Sequence, residues 1–431
     1  MQKIKVYTFL DSAIIYLLFI FMVCEHHVKF TAIKNISLYT ALLMALILFC
    51  IDKSRLLKNI RLNFNLAKIT TTSLLLFVGY AFLVSIFPYK DNVGSLVGSF
   101  KEFGRGLAFL FIVFAWSNGN EKKVKIFFFS CIVAFLFITI YYSESLISRF
   151  GDITNKNIDI GRIIRREYAD YVDRFMAFAI MFIILVKNNV TKIITILFCF
   201  LVVIMDILSG TRGSWVSIFI CILLCGIFIG CSKYKYVIKD NFKIILFIAV
   251  SGICLVIFML FNSSIVNYKF SQGADTSGRY TLVKERLPVF LDSKRALFGL
   301  GYGKEQYDEF LRDEMDKGNK FSMMQIRPDT KKRFWFNDEP FFIGNFYYFG
   351  IFGTLMLFCS FVSLLYYSFK EFKKTQDLMF VAIFISIFCY FGVRGLFEAI
   401  NLRILYLFYM LGFFIIVSRY YKEKREITNE R

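Results

Sequence analysis

Apolar runs of about 17 to 20 residues recur along the whole of this chain, each long enough, or nearly so, to carry a helix across a hydrocarbon core of about 30 Å. In lipid every backbone N–H and C=O has to be satisfied within the protein, so such runs must be helical. They fall at 8–24, 36–51, 69–88, 98–117, 125–142, 168–186, 192–208, 213–231, 243–261, 341–367, 379–393 and 403–419. The pattern predicts an all-α integral membrane protein of about 12 transmembrane helices. In lipid these pack as one bundle, so dividing chain length by a soluble domain size has no meaning here.

Orientation follows from the basic residues, because short cytoplasmic loops retain Lys and Arg. Lys3 and Lys5 precede the first run. Alternate connections carry Lys53, Arg55, Lys58 and Arg61, then Lys122 and Lys123, Lys187 and Lys192, Lys233 and Lys235, and Lys370, Lys373 and Lys374. The bias places both termini in the cytoplasm and the long segment 262–340 outside. The net charge of +20 is then mostly a topology signal. No soluble basic face with stacking aromatics is offered to a nucleic acid, so that partner is excluded. The expected organisation is nine helices over 1–261, a large outer loop with short helices over 262–340, and three helices with a basic cytoplasmic tail over 341–431. The first run contains Asp11 and lacks a small-residue cleavage site, so it reads as retained rather than as a secretory signal. All cysteines lie in or at the ends of apolar runs, without a CxxC pair or a disulfide framework.

Three outer stretches hold the polar chemistry. In the first, Arg162, Arg165 and Arg166 approach a helix that carries Asp170, Asp173 and Arg174. Asp170 and Arg174 are spaced to face one another as a self-neutralising pair. The arginine cluster could instead flank an anionic headgroup, since guanidinium forks bind phosphate oxygens in bidentate fashion. The second stretch, Ser209-Gly210-Thr211-Arg212-Gly213-Ser214-Trp215, is either a tight helical hairpin with a snorkelling arginine or a phosphate site built from Arg212 and helix N-terminal N–H groups.

The third stretch is the long loop. Arg279 closes Asp275-Thr276-Ser277-Gly278-Arg279, and a short helix follows that Pro288 would end or kink. Leu297-Phe298-Gly299-Leu300-Gly301-Tyr302-Gly303 has no preceding strand and so is no dinucleotide fingerprint; a mobile or closely packed turn accounts for it. A charged helix is expected from about Glu305 to Lys317. The loop ends at Asn337-Asp338-Glu339-Pro340. These two carboxylates beside aromatics suit either a general base for a sugar hydroxyl or the cap of the next helix.

Taken in order, SGTRGSW, a single large outer loop, SGR followed by LFGLGYG, and NDEPFFIGNFYYFGIFG entering a helix resemble the O-antigen ligase and polymerase superfamily, most firmly from about Ser209 to Gly353. The resemblance implies a GT-C-like glycosyltransferase of the bacterial inner membrane with a periplasmic active site. It implies no metal and no cofactor. Its donor would be a glycan linked to undecaprenyl pyrophosphate, and its acceptor a sugar of lipid A-core for a ligase or a second lipid-linked glycan for a polymerase. By motif position, Arg212 and Arg279 correspond to contacts for the pyrophosphate, with Arg162, Arg165 and Arg166 as secondary candidates.

Many ligases carry a histidine at the end of the long loop; here the equivalent place falls on or beside Asp338 and Glu339, the candidate catalytic residues. The only histidines, His26 and His27, lie in the first outer connection and read as solvated rather than as metal ligands. The overall layout favours a ligase, with a polymerase as the alternative. A lipid-linked oligosaccharide flippase is the reading from another class, and it would call for internal repeats, which the sequence does not show.

Overall fold

The structure, a computed structural model, describes residues 2–25, 30–90, 93–152, 162–240, 265, 279–322, 324–326, 333–335, 337, 339–398 and 403–429. The chain is an all-α membrane protein. Its helices are α1 (Gln2–Glu25), α2 (Thr31–Ile51), α3 (Lys53–Leu66), α4 (Lys68–Ile86), α5 (Val93–Trp116), α6 (Glu121–Ser148), α7 (Glu167–Leu185), α8 (Asn189–Leu208), α9 (Arg212–Gly230) and α10 (Lys235–Asp240). The loop contributes α11 (Arg279–Leu291) and α12 (Lys304–Asp316), followed by α13 (Phe341–Thr375), α14 (Leu378–Ile387) and α15 (Leu405–Asn429). A π-helical turn, Phe388–Val393, and a 3₁₀ turn, Arg394–Leu396, continue α14.

Eight helices among the described residues are long and apolar enough to cross a membrane. The expected spans 98–117 and 168–186 are helical as well, within α5 and α7, but each is interrupted by charge: Lys101, Glu102 and Arg105 in one, Asp170, Asp173 and Arg174 in the other. Nearly all of the span 403–419 lies in α15, which continues beyond it through the charged stretch Lys422–Glu426. The expected span 243–261, His26, His27, residues 275–278 and Asp338 lie outside the described residues.

Packing follows the chemistry of a lipid-facing surface. On α9 the buried positions are Gly213, Ser214, Ser217, Ile218, Cys221 and Cys225, whereas Val216, Phe219, Ile222, Leu223 and Ile227 face outward. Small residues recurring about every fourth position let backbones approach where no hydrophobic drive separates one helix from lipid. Helix α15 is the opposite case. It is enclosed on every side from Ile404 to Val417, as an all-apolar helix at the centre of a bundle should be, and it packs against α5, α6, α13 and α14.

Two connections differ from expectation. The basic stretch after the second span is itself a helix, α3, rather than a plain loop. It is held because Asn59 Nδ2 donates to the Ala115 carbonyl at 3.2 Å and Asn63 Nδ2 to those of Phe114 and Ser117 at 2.9 and 3.1 Å, satisfying carbonyls at the end of α5. Helix α11 does not stop at Pro288 but runs through it to Leu291, near enough to its end that little of the helical ladder is lost.

The loop is fastened to the bundle through its glycine turn. Gly299 has φ +92°, and a Cβ there would stand 2.3 Å from the Tyr348 carbonyl oxygen. Opposite it, Gly350 (φ +61°, ψ −169°) breaks the 35-residue α13, and the two segments pair by backbone: Leu300 N to Tyr347 O at 2.9 Å, Gly301 N to Tyr348 O at 3.1 Å and Ile351 N to Ala296 O at 3.0 Å. Of the two expectations for this turn, close packing is the one realised. The loop also clasps the turn between α4 and α5, where Arg295 donates to the Phe87 and Pro88 carbonyls and Tyr89 N donates to Leu300 O at 2.7 Å. These fastenings gather the loop, the break in α13 and the end of α4 at one end of the bundle, the loop end.

Candidate active site

Charge is buried where α7, α8, α9 and the end of α14 meet. Arg394, 1% exposed, pairs through Nη2 with Asp170 and through Nη1 with Asp173, both at 2.6 Å. The π-helical turn just before Arg394 adds a residue to the helix and so changes the direction in which the next side chain points. Ser214 Oγ lies 3.2 Å from Asp173 Oδ1 and 2.9 Å from Asp206 Oδ1, a single hydroxyl between two enclosed carboxyl groups. This chain of contacts ties the first turn of α9 to α7. Asp170 interacts with Arg174, as its spacing suggests, and is also met by Arg394 from the far end of the sequence, while the Arg174 guanidinium binds the Tyr390 hydroxyl.

One layer nearer the loop, three elements converge on Glu398. Arg279, the first residue of α11, reaches Glu398 Oε2 with Nη2 at 3.4 Å and donates to the Phe397 carbonyl through Nη1. Arg166, at the N-cap of α7, also forms an ion pair with Glu398. The start of α9 completes the junction, since a Cβ on Gly213 would lie 3.1 Å from Phe397 Cβ and 3.6 Å from Glu398 Oε1. Arg212 is the residue just before. The tight turn places the start of α9 at this junction, with Arg212 as the first residue of that helix. Of the secondary candidates, Arg166 joins the cluster, while Arg162 and Arg165 are exposed beside it.

Glu339 is placed elsewhere. It is fully enclosed inside the loop, with Oε1 accepting from Arg286 Nη1 at 3.3 Å and from the Tyr307 hydroxyl. Burial lifts its carboxyl above the usual range, against the opposing pull of Arg286 and of the Tyr307 hydrogen bond. The helix that follows begins at Phe341 with Pro340 at its N-cap. Arg286 and Arg279 lie on the same face of α11, seven residues and about 10 Å apart along the axis. One short helix therefore links the Glu398 junction to Glu339. Replacing Arg286 with Met would strand a buried carboxylate, and the expected loss is about 3–5 kcal/mol of stability. Melting in detergent measures it, and an unchanged melting temperature would show that Glu339 does not depend on Arg286.

Residues 196–358 match the family model described as O-antigen ligase. Over these residues the chain is similar to the O-antigen ligase superfamily. No curated protein matches it. The matched stretch runs from within α8 to within α13 and contains Arg212, Arg279 and Glu339, so the superfamily region supplies two of the arginines and the loop itself. Arg166, Arg394 and Glu398 come from outside it and are brought in by the packing of α7 and α14. Sequence reasoning passed over Arg394 and Glu398 because the apolar run there stopped at residue 393. The available signal was an arginine directly continuing a membrane span, a placement that is rare and marks a function or a fixed partner.

Proposed function

We propose that this chain is a ligase-type glycosyltransferase of the bacterial inner membrane. It would move a glycan from undecaprenyl pyrophosphate to a sugar of lipid A-core at the periplasmic face, in a bundle of about 12 spans with both termini cytoplasmic. The observation that carries this reading is the convergence of Arg166, Arg279 and the Arg212 end of α9 on Glu398, within and beside the superfamily region. Guanidinium groups delivered by three separate elements at the end of a membrane bundle suit a diphosphate, and Glu398 holds two of them in place until the ligand arrives.

In the reaction the acceptor hydroxyl oxygen bonds to the anomeric carbon of the donor glycan while the bond from that carbon to the pyrophosphate oxygen breaks. The lipid pyrophosphate leaves with one further negative charge, and the acceptor proton passes to a carboxylate. Arg212 and Arg279 stabilise the departing oxygen, where charge develops in the transition state. Of the two loop-end carboxylates, Glu339 is enclosed by Arg286 and Tyr307, which favours Asp338 as the proton acceptor and Glu339 as the residue that fixes its surroundings.

Arg212→Lys and Arg279→Lys keep charge but lose the bidentate fork. Each should cut transfer by about 100-fold at normal membrane abundance, measured with purified donor and acceptor lipids in detergent; near-normal rates in both would remove the pyrophosphate assignment. Asp338→Asn should abolish transfer without changing the melting temperature, whereas Glu339→Gln should lower the melting temperature. The polymerase reading keeps the same donor site and is favoured by the absence of any histidine from the long loop. Gene deletion separates the two: a polymerase mutant retains one repeat unit on its lipopolysaccharide, and a ligase mutant strands long chains on undecaprenyl pyrophosphate.

A further inference from the structure

A second basic cluster stands at the loop end, on the other side of the first turns of α7. Glu25, the last residue of α1, is 1% exposed and meets cations from three other segments: Lys34 Nζ at 3.7 Å, Arg105 Nη1 at 3.2 Å and Arg403 Nη1 at 3.5 Å. Glu102, one turn before Arg105 on α5, interacts with Arg403, Arg105 and Arg174. Lys34, Arg105 and Arg403 thus lie about Glu25 and Glu102, while Arg174 also interacts with Asp170. Asp170, the next carboxylate, is engaged by Arg394 at 2.6 Å. Three cations gathered about two carboxylates leave positive charge in excess, which favours the binding of an anion.

The cluster is open to a ligand, since the side chains of Arg403 and Arg105 are 41% and 22% exposed. It also lies beneath the loop: a Cβ on Gly98 of α5 would lie 3.2 Å from Tyr302 of the glycine turn, and Tyr302 interacts with Glu102. Arg403 N donates to the Tyr390 hydroxyl at 2.9 Å, the same hydroxyl that binds Arg174, which links this cluster to the Arg394 network. Two cation-rich places thus flank one helix start under one loop, as a reaction between two headgroup-bearing substrates requires.

We propose that Lys34, Arg105 and Arg403 form a second phosphate-binding site, which holds a phosphate or diphosphate carried by the acceptor. The proposal rests on the transferase reading above and adds to it that the acceptor is itself anionic close to the hydroxyl that is glycosylated. Two guanidinium groups suit tetrahedral phosphate oxygens, and Lys34 adds a compact charge behind them.

Native mass spectrometry of the purified full chain with a short-chain prenyl diphosphate tests this. Two bound copies are expected. Arg403→Gln should weaken one of them about tenfold or more and leave the other, Arg279→Gln should do the converse, and Arg403→Lys should recover part of the loss. Competition with inorganic phosphate identifies the source of the ligand. Displacement of the Arg403-dependent copy points to a phosphorylated sugar, and resistance points to a lipid-linked diphosphate; either result supports the site.

A single bound copy overturns the proposal. So does a second copy indifferent to both Arg403→Gln and Arg105→Gln in proteins that melt like wild type. If Arg279→Gln changes nothing while the Arg403-dependent copy persists, the donor-site assignment fails and this site stands.

Discussion

Arg394→Met is expected to leave little folded protein in the membrane. The guanidinium is 1% exposed and pairs with both Asp170 and Asp173 at 2.6 Å, and the Asp173 side chain has no exposure of its own. Removing one side of a buried ion pair strands charge in a low-dielectric interior, at a cost of about 3–5 kcal/mol. Removing both sides together does not. Arg394→Met combined with Asp170→Asn and Asp173→Asn should therefore regain most of the lost abundance and melting temperature. If the triple variant is as unstable as the single one, the effect comes from packing rather than from stranded charge. Because Ser214 connects Asp173 to the first turn of α9, the rescued protein should still transfer glycan more slowly than wild type, with Arg212 less firmly placed.

Alanine at Gly299 or Gly350 should be nearly as damaging, for a different reason. Both residues sit at positive φ, and a Cβ would stand 2.3 Å from the Tyr348 carbonyl oxygen in one case and 2.4 Å from the Leu297 carbonyl oxygen in the other. Backbone cannot yield as a flexible side chain does. A left-handed non-glycine residue alone costs about 1–3 kcal/mol, and separating the two segments also breaks the backbone hydrogen bonds that fasten the loop. The expected loss is about 3 kcal/mol or more, with the loop becoming accessible to protease while the bundle persists. Gly303→Ala is the control: it too has positive φ, but a Cβ there meets nothing within 4 Å, so its effect should be confined to local strain. Equal sensitivity at all three positions would argue against a packed interlock.

Much of the architecture was legible in the chain. Long apolar runs, a biased distribution of Lys and Arg, and one polar segment are consequences of local composition, and local composition decides whether a segment can sit in lipid. The arginines of SGTRGSW and SGR stand out in the sequence for the same reason, since each is an oddity beside an apolar run. What spacing could not give was pairing. Asp170 and Arg174 sit at the right interval for a helical pair, but nothing in that interval announces Arg394, more than two hundred positions away, which also binds Asp170. Glu339 and Asp338 read as equivalent neighbours. The enclosure of Glu339 by Arg286 and Tyr307 comes from the tertiary structure alone.

By itself the sequence determined that the protein is a helical membrane bundle. It did so because solvation in lipid is enforced residue by residue. Only the tertiary structure decided which charges meet: Arg166 and Arg279 on Glu398, Arg394 on two aspartates, and Lys34, Arg105 and Arg403 on Glu25. A buried charge needs a partner within a few ångströms in space, and in this fold those partners come from helices at opposite ends of the chain.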